Sequence, residues 1–212
     1  GIMYGLGWHL AQEKNKSLAS YAPKVKDPES LKIYMALHAE LPRVAALYRQ
    51  GLACLFPGAA TLLQSVADRD GVLSFGDILD GVSVERPFAN SLTATKCGFC
   101  NLQHCDKDHA PVAYGKWFQA KRNGQQWHFH PTADHNKTQG GEFIWGAFNI
   151  GVDFNKARGL VEIFWRGQFD FHGTLSSTDE DGYTCFGTSI QITSKGVNAM
   201  AKVWKVEELA RS

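Results

Sequence analysis

His104 and Asp106 stand one residue apart in Asn101-Leu-Gln-His-Cys-Asp-Lys-Asp108, and His172 lies far along the chain in Trp165-Arg-Gly-Gln-Phe-Asp-Phe-His-Gly-Thr174. In an extended segment residues i and i+2 point to the same face, so an imidazole and a carboxylate at this spacing can converge on one point. A distant histidine brought alongside supplies a second nitrogen donor. Two imidazoles and one carboxylate make the facial triad that holds a non-haem Fe(II) and leaves positions open for a co-substrate and O2. Each residue also has a plainer reading. The polar run around His104 fits a solvated turn between strands, and a histidine after Phe169-Asp-Phe171 fits a core position. Gly173 and Thr174 put His172 at a strand end, which suits a ligand near a barrel mouth.

A rival metal reading starts from Cys97-X-X-Cys100, followed by His104 and Cys105, which offers soft donors for zinc. The adjacent positions 104 and 105 are poor geometry for one tetrahedron. His128, His130 and His135, with Asp134, Pro131 and Asn136-Lys137 among them, read as a surface loop of the kind that becomes a lid. Neither a phosphate-cradling glycine loop nor a Gly-X-Ser-X-Gly elbow is present in the sequence.

The elements that must position these groups follow from patterning. Residues 1–25 read as an edge strand or arm and a loop. Asp27-Pro28-Glu29 is a helix start, with an N-cap acid and proline in the first turn. Leu31, Tyr34, Leu37, His38 and Leu41 then recur at helical spacing, as one amphipathic face. Pro42 breaks that helix. Further helices are expected over 43–55, with Cys54 in the helical core, and over 59–67. From Asp77 the texture turns to Val, Phe, Thr and Trp with glycine turns, which predicts strands at 82–86, 90–104, 112–119, 142–145, 148–154, 159–165, 169–174 and 184–193. A closing helix is expected over 199–210. Helices first and strands after give an α+β class, and many short antiparallel strands around a buried site suit a double-stranded β-helix of jelly-roll type, with the N-terminal helices packed on it. The expected organisation is one domain over 1–212, helical over 1–76, β-helix over 77–195 and helical again over 196–212.

Bulk properties bound the partners. The 212 residues carry a formal net charge of +1, from 22 basic and 21 acidic side chains, so no overall cationic footprint points to nucleic acid. Lys116, Lys121 and Arg122 are candidates for a local basic groove. The five cysteines are an odd number and three crowd into residues 97–105, which argues for an intracellular, reducing compartment over a disulfide scaffold. No apolar run is long enough to span a membrane. The opening Gly1-Ile2-Met3-Tyr4 reads as a domain cut from a longer parent.

Taken in order, several pieces resemble the TET/JBP-like 2-oxoglutarate- and Fe(II)-dependent oxygenases, in the branch abundant in mushroom-forming fungi. They are Asn90-Ser-Leu-Thr, Gly98-Phe, Asn101-Leu-Gln-His104-Cys-Asp106-Lys-Asp108, Tyr114-Gly-Lys-Trp117, Gly140-Gly-Glu-Phe143, Val152-Asp-Phe154, Trp165-Arg-Gly, Asp170-Phe-His172-Gly-Thr174 and Gly187-Thr-Ser189-Ile-Gln191. The resemblance covers residues 88–193 well and the N-terminal helices weakly. It implies a double-stranded β-helix with His104, Asp106 and His172 as iron ligands and 2-oxoglutarate as a chelating co-substrate. Oxidation would fall on a methyl group of a nucleobase, extruded from the stack where the substrate is duplex DNA. Asn101 and Ser189 are then expected at the co-substrate, and Tyr114 and Trp117 as pocket walls or core.

One position departs from the family pattern. An arginine is expected on the strand after the distal histidine, to pair with the C5 carboxylate of 2-oxoglutarate. Cys185 stands there, so Lys195 or Arg166 is expected to substitute. Two other readings stay open. The chain is a degenerate relative that keeps the barrel as a binding module, or it runs the same chemistry on a protein or small molecule. An intracellular location, with the nucleus as one candidate, goes with the nucleic-acid reading.

Overall fold

The computed structural model describes residues 1–10, 18–21, 27–77, 87–129 and 135–211. The expected strand at 82–86, and His130 and Asp134, lie outside the described residues. The chain divides into two compact units, one comprising Gly1–Tyr4, Thr93–Lys107 and Pro111–Ser189, the other Gly5–Leu92, Asp108–Ala110 and Ile190–Ser212.

The second unit carries the helices. Strand β1 (Ile2–Leu10) ends in it and pairs antiparallel with β2 (Leu18–Ser20), Trp8 opposite Ser20. Helix α1 (Pro28–Ala39) starts as its sequence dictates, the Asp27 carboxylate accepting from the Ser30 N–H at 2.8 Å. Its spaced apolar residues do not form a buried face. No described residue of α1 is buried, and Leu31 and Leu37 stand 49% and 65% exposed, so spacing alone overstated its packing. Helix α2 (Leu41–Leu55) has Pro42 in its first turn, where the missing N–H costs nothing, and buries Leu41, Ala45, Tyr48 and Leu52. Cys54, expected in the helical core, is exposed because it falls outside that stripe. Helix α3 (Pro57–Arg69) buries Ala59, Ala60, Leu63, Val66 and Ala67. α2 and α3 thus supply the apolar faces that burial stabilises.

Asn90 ties this unit together. Fully buried, its backbone carbonyl accepts from the Trp8 N–H at 2.9 Å, and its side-chain oxygen accepts from the Thr193 N–H at 2.8 Å. Two glycines make room for it. A Cβ on Gly7 (φ +110°) would come 2.1 Å from the Asn90 carbonyl oxygen, and one on Gly196 would come 2.0 Å from Asn90 Nδ2. Helix α4 (Ser194–Arg211) begins directly after Thr193, five residues earlier than its sequence suggested.

The first unit is built of antiparallel sheets. One contains β3 (Ser91–Lys96), β5 (Ala113–Asn123), β6 (Gln126–Phe129), β10 (Val161–Trp165) and β13 (Tyr183–Gln191), in the order β10-β5-β13-β3-β1 with β6 on β5. The second runs β4-β11-β8-β9, from β4 (Asn101–His104), β11 (His172–Thr174), β8 (Phe143–Trp145) and β9 (Ile150–Val152). A two-stranded piece joins β7 (Thr138–Gly140) to β12 (Ser177–Asp179). The single strand expected over 90–104 is two strands in different sheets. Cys97 (φ 56°) and Gly98 (φ 70°) are both left-handed between them, a conformation that cannot continue a ladder. Likewise the stretch 148–154 keeps only β9 as strand, flanked by 3-10 turns at Gly146–Phe148 and Phe154–Lys156. β6, β7 and β12 were not expected from patterning.

Side chains from facing strands fill the space between the sheets. Trp117 of β5 lies against Phe143 of β8 at 5.3 Å between ring centroids, against Phe154 at 5.5 Å and against Trp165 of β10 at 6.2 Å, with Ala113 and Ile163 completing the cluster. Replacing Asn90 by alanine removes the side-chain acceptor of the part-buried Thr193 N–H, so Asn90→Ala is expected to lower the unfolding free energy by about 1–3 kcal/mol, read as a reduced urea midpoint.

Candidate metal centre and adjoining cavity

Antiparallel register brings the two histidines together. His172 of β11 is the direct cross-strand partner of His104 of β4, and their ring centroids are 4.8 Å apart. Asp106 lies past the end of β4, outside the ladder that the i, i+2 argument assumed. Its N–H donates to the Gly167 carbonyl at 2.8 Å, which holds the carboxylate over the same face. One carboxylate oxygen lies 3.3 Å from His104 Nε2 and the other 3.3 Å from His172 Nε2. The three donor atoms lie within 4.8 Å of one another, and among the described residues no other group of histidine, cysteine and acid residues meets this condition. The zinc reading therefore loses its support. Cys97, Cys100 and Cys105 are all exposed and outside that group.

The chemistry of the donors fits a divalent cation. His104 Nδ1 is 2.7 Å from the Leu102 carbonyl and His172 Nδ1 is 2.7 Å from the Asp170 carbonyl. A carbonyl only accepts, so each Nδ1 carries the proton and each Nε2 presents a lone pair toward Asp106. Exposure is graded: the His172 side chain is 4% exposed, Asp106 17% and His104 42%, so the cluster opens to one side. The Trp165 indole N–H donates to His172 Nε2 at 3.1 Å, and that nitrogen has one lone pair, for which a cation competes. The sequence held no signal for this contact.

The remaining candidates are distributed as follows. Asn101, on β4, accepts the Thr174 N–H with its side-chain oxygen at 2.7 Å, a contact that fixes β11 next to the histidines. Arg166 is engaged by Asp170 through Nε at 3.1 Å and Nη2 at 2.7 Å, and it holds the Asp170 carboxyl below the usual carboxylate range. Because the Asp170 carbonyl orients His172, this ion pair braces the imidazole. Ser189 is half-buried on β13. Lys195 is exposed in the first turn of α4 and belongs to the second unit. Tyr114 is fully buried and its hydroxyl donates to Glu162, which Lys116 also contacts, so Lys116 does not join Lys121 and Arg122, both exposed on the last residues of β5.

Cys185 faces a narrow cavity of about 20 Å³ inside the first unit, walled by Thr95, Trp117, His135, Phe154 and Gly187 among others, with neither arginine nor lysine among the described residues that wall it. Burial, and then the Asp179 carboxylate, push the Cys185 thiol up to about 12. His135 was expected on a surface loop. It is fully buried, its Nε2–H donating to the Gly159 carbonyl at 2.6 Å, and the polar residues around it concealed this in the sequence. A second, open cleft of about 310 Å³ is lined by Trp145, Phe148, Ile150, Phe164, Trp165, Arg166 and Asp170, and so shares Trp165 and Asp170 with the surroundings of His172.

With fold and site in place, the comparisons with known proteins are specific. The family model of the Tet-like 2OG-Fe(II) oxygenase superfamily matches residues 1–177, and the chain belongs to that superfamily. Solved structures of similar fold include NgTET1 in complex with 5mC DNA, 12% identical with a TM-score of 0.50 over 92% of this chain and 61% of that one. This chain thus spans less than two thirds of that protein, and the likeness speaks for the fold alone. No curated protein matches the chain. Among the described residues no helix is long and apolar enough to cross a membrane.

Reactivity should separate the thiols. With its acidity at about 12, Cys185 holds only a trace of thiolate at pH 8, whereas the other four cysteines are exposed. Iodoacetamide on the native protein at pH 8 is expected to label Cys54, Cys97, Cys100 and Cys105 and spare Cys185 until the chain is unfolded, as read by peptide mass spectrometry.

Proposed function

We propose that the protein is an Fe(II)- and 2-oxoglutarate-dependent dioxygenase that oxidises a methylated base in nucleic acid, as a single oxygenase-like domain with a double-stranded β-helix core. The convergence of His104, Asp106 and His172 carries this reading, with the three as iron ligands. Bound iron and its co-substrate supply the oxidising power, one O2 and one 2-oxoglutarate yielding succinate, CO2 and a hydroxylated product. The chain's own residues do the rest. The Leu102 and Asp170 carbonyls keep both imidazoles in the tautomer that presents Nε2, and Arg166 holds Asp170 in place. Trp165 shields the buried side of His172 from water.

The aromatic cleft beside Trp165 supports a planar substrate, since Trp145 and Phe164 offer flat apolar walls and Arg166 with Asp170 offers polar edges. NgTET1, in its complex with 5mC DNA, is a fold neighbour and lends the nucleic-acid reading its context. We place the chain in the branch abundant in mushroom-forming fungi on its motif set, in a reducing intracellular compartment, the nucleus included. Asn101 and Ser189 remain the co-substrate contacts of this reading. A second reading, a binding module without turnover, is favoured by one observation: among the described residues the Cys185 cavity has no arginine or lysine to receive a carboxylate.

Succinate formation coupled to a methylated oligonucleotide tests the enzyme reading, and iron binding without turnover would favour the module. Asp106→Ala is expected to abolish turnover and to weaken Mn(II) binding by more than the ~10–100-fold that loss of an outer hydrogen-bond partner costs. Because a cation takes the lone pair that Trp165 now holds, Mn(II) titration should change tryptophan emission, and Trp165→Phe should remove most of that change. An affinity for DNA that does not fall with added salt would instead point to a protein or small-molecule substrate.

A further inference from the structure

We propose that the Trp165 indole N–H donates to the oxyanion that shares a cation with His104, Asp106 and His172, and so favours a chelating carboxylate over water at that position. This rests on the metal-centre reading above and adds to it what the indole does once a cation is bound.

Trp165 is 5% exposed and its ring is confined. Between centroids, Phe143 lies 4.9 Å away, His172 5.5 Å and Trp117 6.2 Å. A buried indole N–H needs an acceptor. Among the described residues Trp165 Nε1 has one, the Nε2 of His172 at 3.1 Å. The other ring nitrogen of His172 donates to the Asp170 carbonyl at 2.7 Å, so Nε2 holds the one lone pair this imidazole has to give.

Asp106 brings a carboxylate oxygen to 3.3 Å from the same His172 nitrogen. A cation on that nitrogen sits about 2 Å from it, well inside the 3.1 Å that separates it from the indole. The N–H then loses its acceptor and faces positive charge. Packed between Phe143 and Trp117, the ring has no room to swing its N–H out to solvent, so an acceptor must come to it. The open cleft of about 310 Å³ gives the way in, since Trp165 is itself part of its wall, beside Trp145 and Phe164. At the rim Arg166 and Asp170 form an ion pair, which sets no net charge against an anion. An oxygen bound to the cation next to its His172 bond falls within hydrogen-bond reach of Nε1. A carboxylate oxygen suits that place better than water, because its charge faces the cation and the N–H together, and a bond to a charged acceptor is about twice as strong as a neutral one.

The test uses the 212-residue chain, with Zn(II) as a diamagnetic ion for proton–nitrogen NMR and Mn(II) for anaerobic calorimetry. The Trp165 indole resonance is expected to shift when Zn(II) takes the His172 lone pair, and to move downfield when 2-oxoglutarate is then added. Trp165→Phe should bind Mn(II) as tightly as the parent or more so, and in the Mn(II)-loaded state should bind 2-oxoglutarate about tenfold more weakly. An indole signal that 2-oxoglutarate leaves unmoved, or a variant with the parent's 2-oxoglutarate affinity, overturns the assignment. So does a variant that loses Mn(II) and 2-oxoglutarate together, which marks a packing role and nothing more. If Mn(II) binds the parent and 2-oxoglutarate does not, the co-substrate reading falls and this assignment with it; if Mn(II) does not bind, the metal centre falls as well. The parent spectrum decides even where the variant fails to fold, because the Phe143 ring beside Trp165 identifies its indole by through-space contact.

Discussion

Two imidazole lone pairs aimed at one carboxylate are the constraint around which the first unit is arranged. His104 and His172 each stand 3.3 Å from Asp106, and three electron-rich groups at that range repel unless a positive charge lies among them. What holds them is main chain. Carbonyls of Leu102 and Asp170 grip the far side of each ring, and the Gly167 carbonyl grips the Asp106 N–H. Those carbonyls stay in place because β4 and β11 pair in one register, His104 opposite His172, with the Asn101 side chain clamping Thr174 at the other end. The register depends in turn on the left-handed turn at Cys97–Gly98, which releases the chain from one sheet and delivers it to the other. A Cβ on Gly98 would meet the Ser177 carbonyl oxygen at 2.7 Å, so that turn has little latitude.

How far the sequence discloses this differs from residue to residue. The His104/Asp106 pair is legible because side-chain direction alternates in extended chain, although Asp106 reaches its place by a hydrogen bond beyond the strand. His172 could be named but not positioned, since cross-strand register is a tertiary property that no local pattern encodes. Helix α2 is legible over 43–55, whereas Leu41, read into the face of α1, opens α2 and is buried there. α1 is not: its apolar spacing is equally regular, and whether a partner covers a face is not written in the face itself. His135 illustrates the opposite error, a polar neighbourhood hiding a residue that the fold encloses. Short strands such as β7 and β12, three residues each, are too brief for any periodicity to register.

Family membership and residue chemistry speak about different parts of the chain. The family model ends at residue 177, before β13, so the two histidine-bearing strands β4 and β11 lie inside the matched region and Cys185, Ser189 and Lys195 lie beyond it. The group that could hold a metal ion, His104, Asp106 and His172, lies wholly within the matched residues. The cavity at Cys185 does not supply the expected cation, and its interior is packed with rings: Trp117 against Phe143, Phe154 and Trp165. Dense aromatic packing of this kind resists enlargement, because a ring that moves gives up contacts on every side. Shape as well as charge therefore governs what can enter from the side of β13.

Cys105 stands between the two sequence-adjacent donors, and its thiol is exposed, as are those of Cys97 and Cys100 on the same short stretch. A redox-active ion seated on His104 and Asp106 would generate its oxidants within a few bonds of that sulfur, and an accessible thiol is the first side chain such species attack. The stretch that carries His104 and Asp106 would thus also carry the group most exposed to collateral damage. Upkeep of such a centre would be tied to the supply of cellular reductant as much as to the supply of metal.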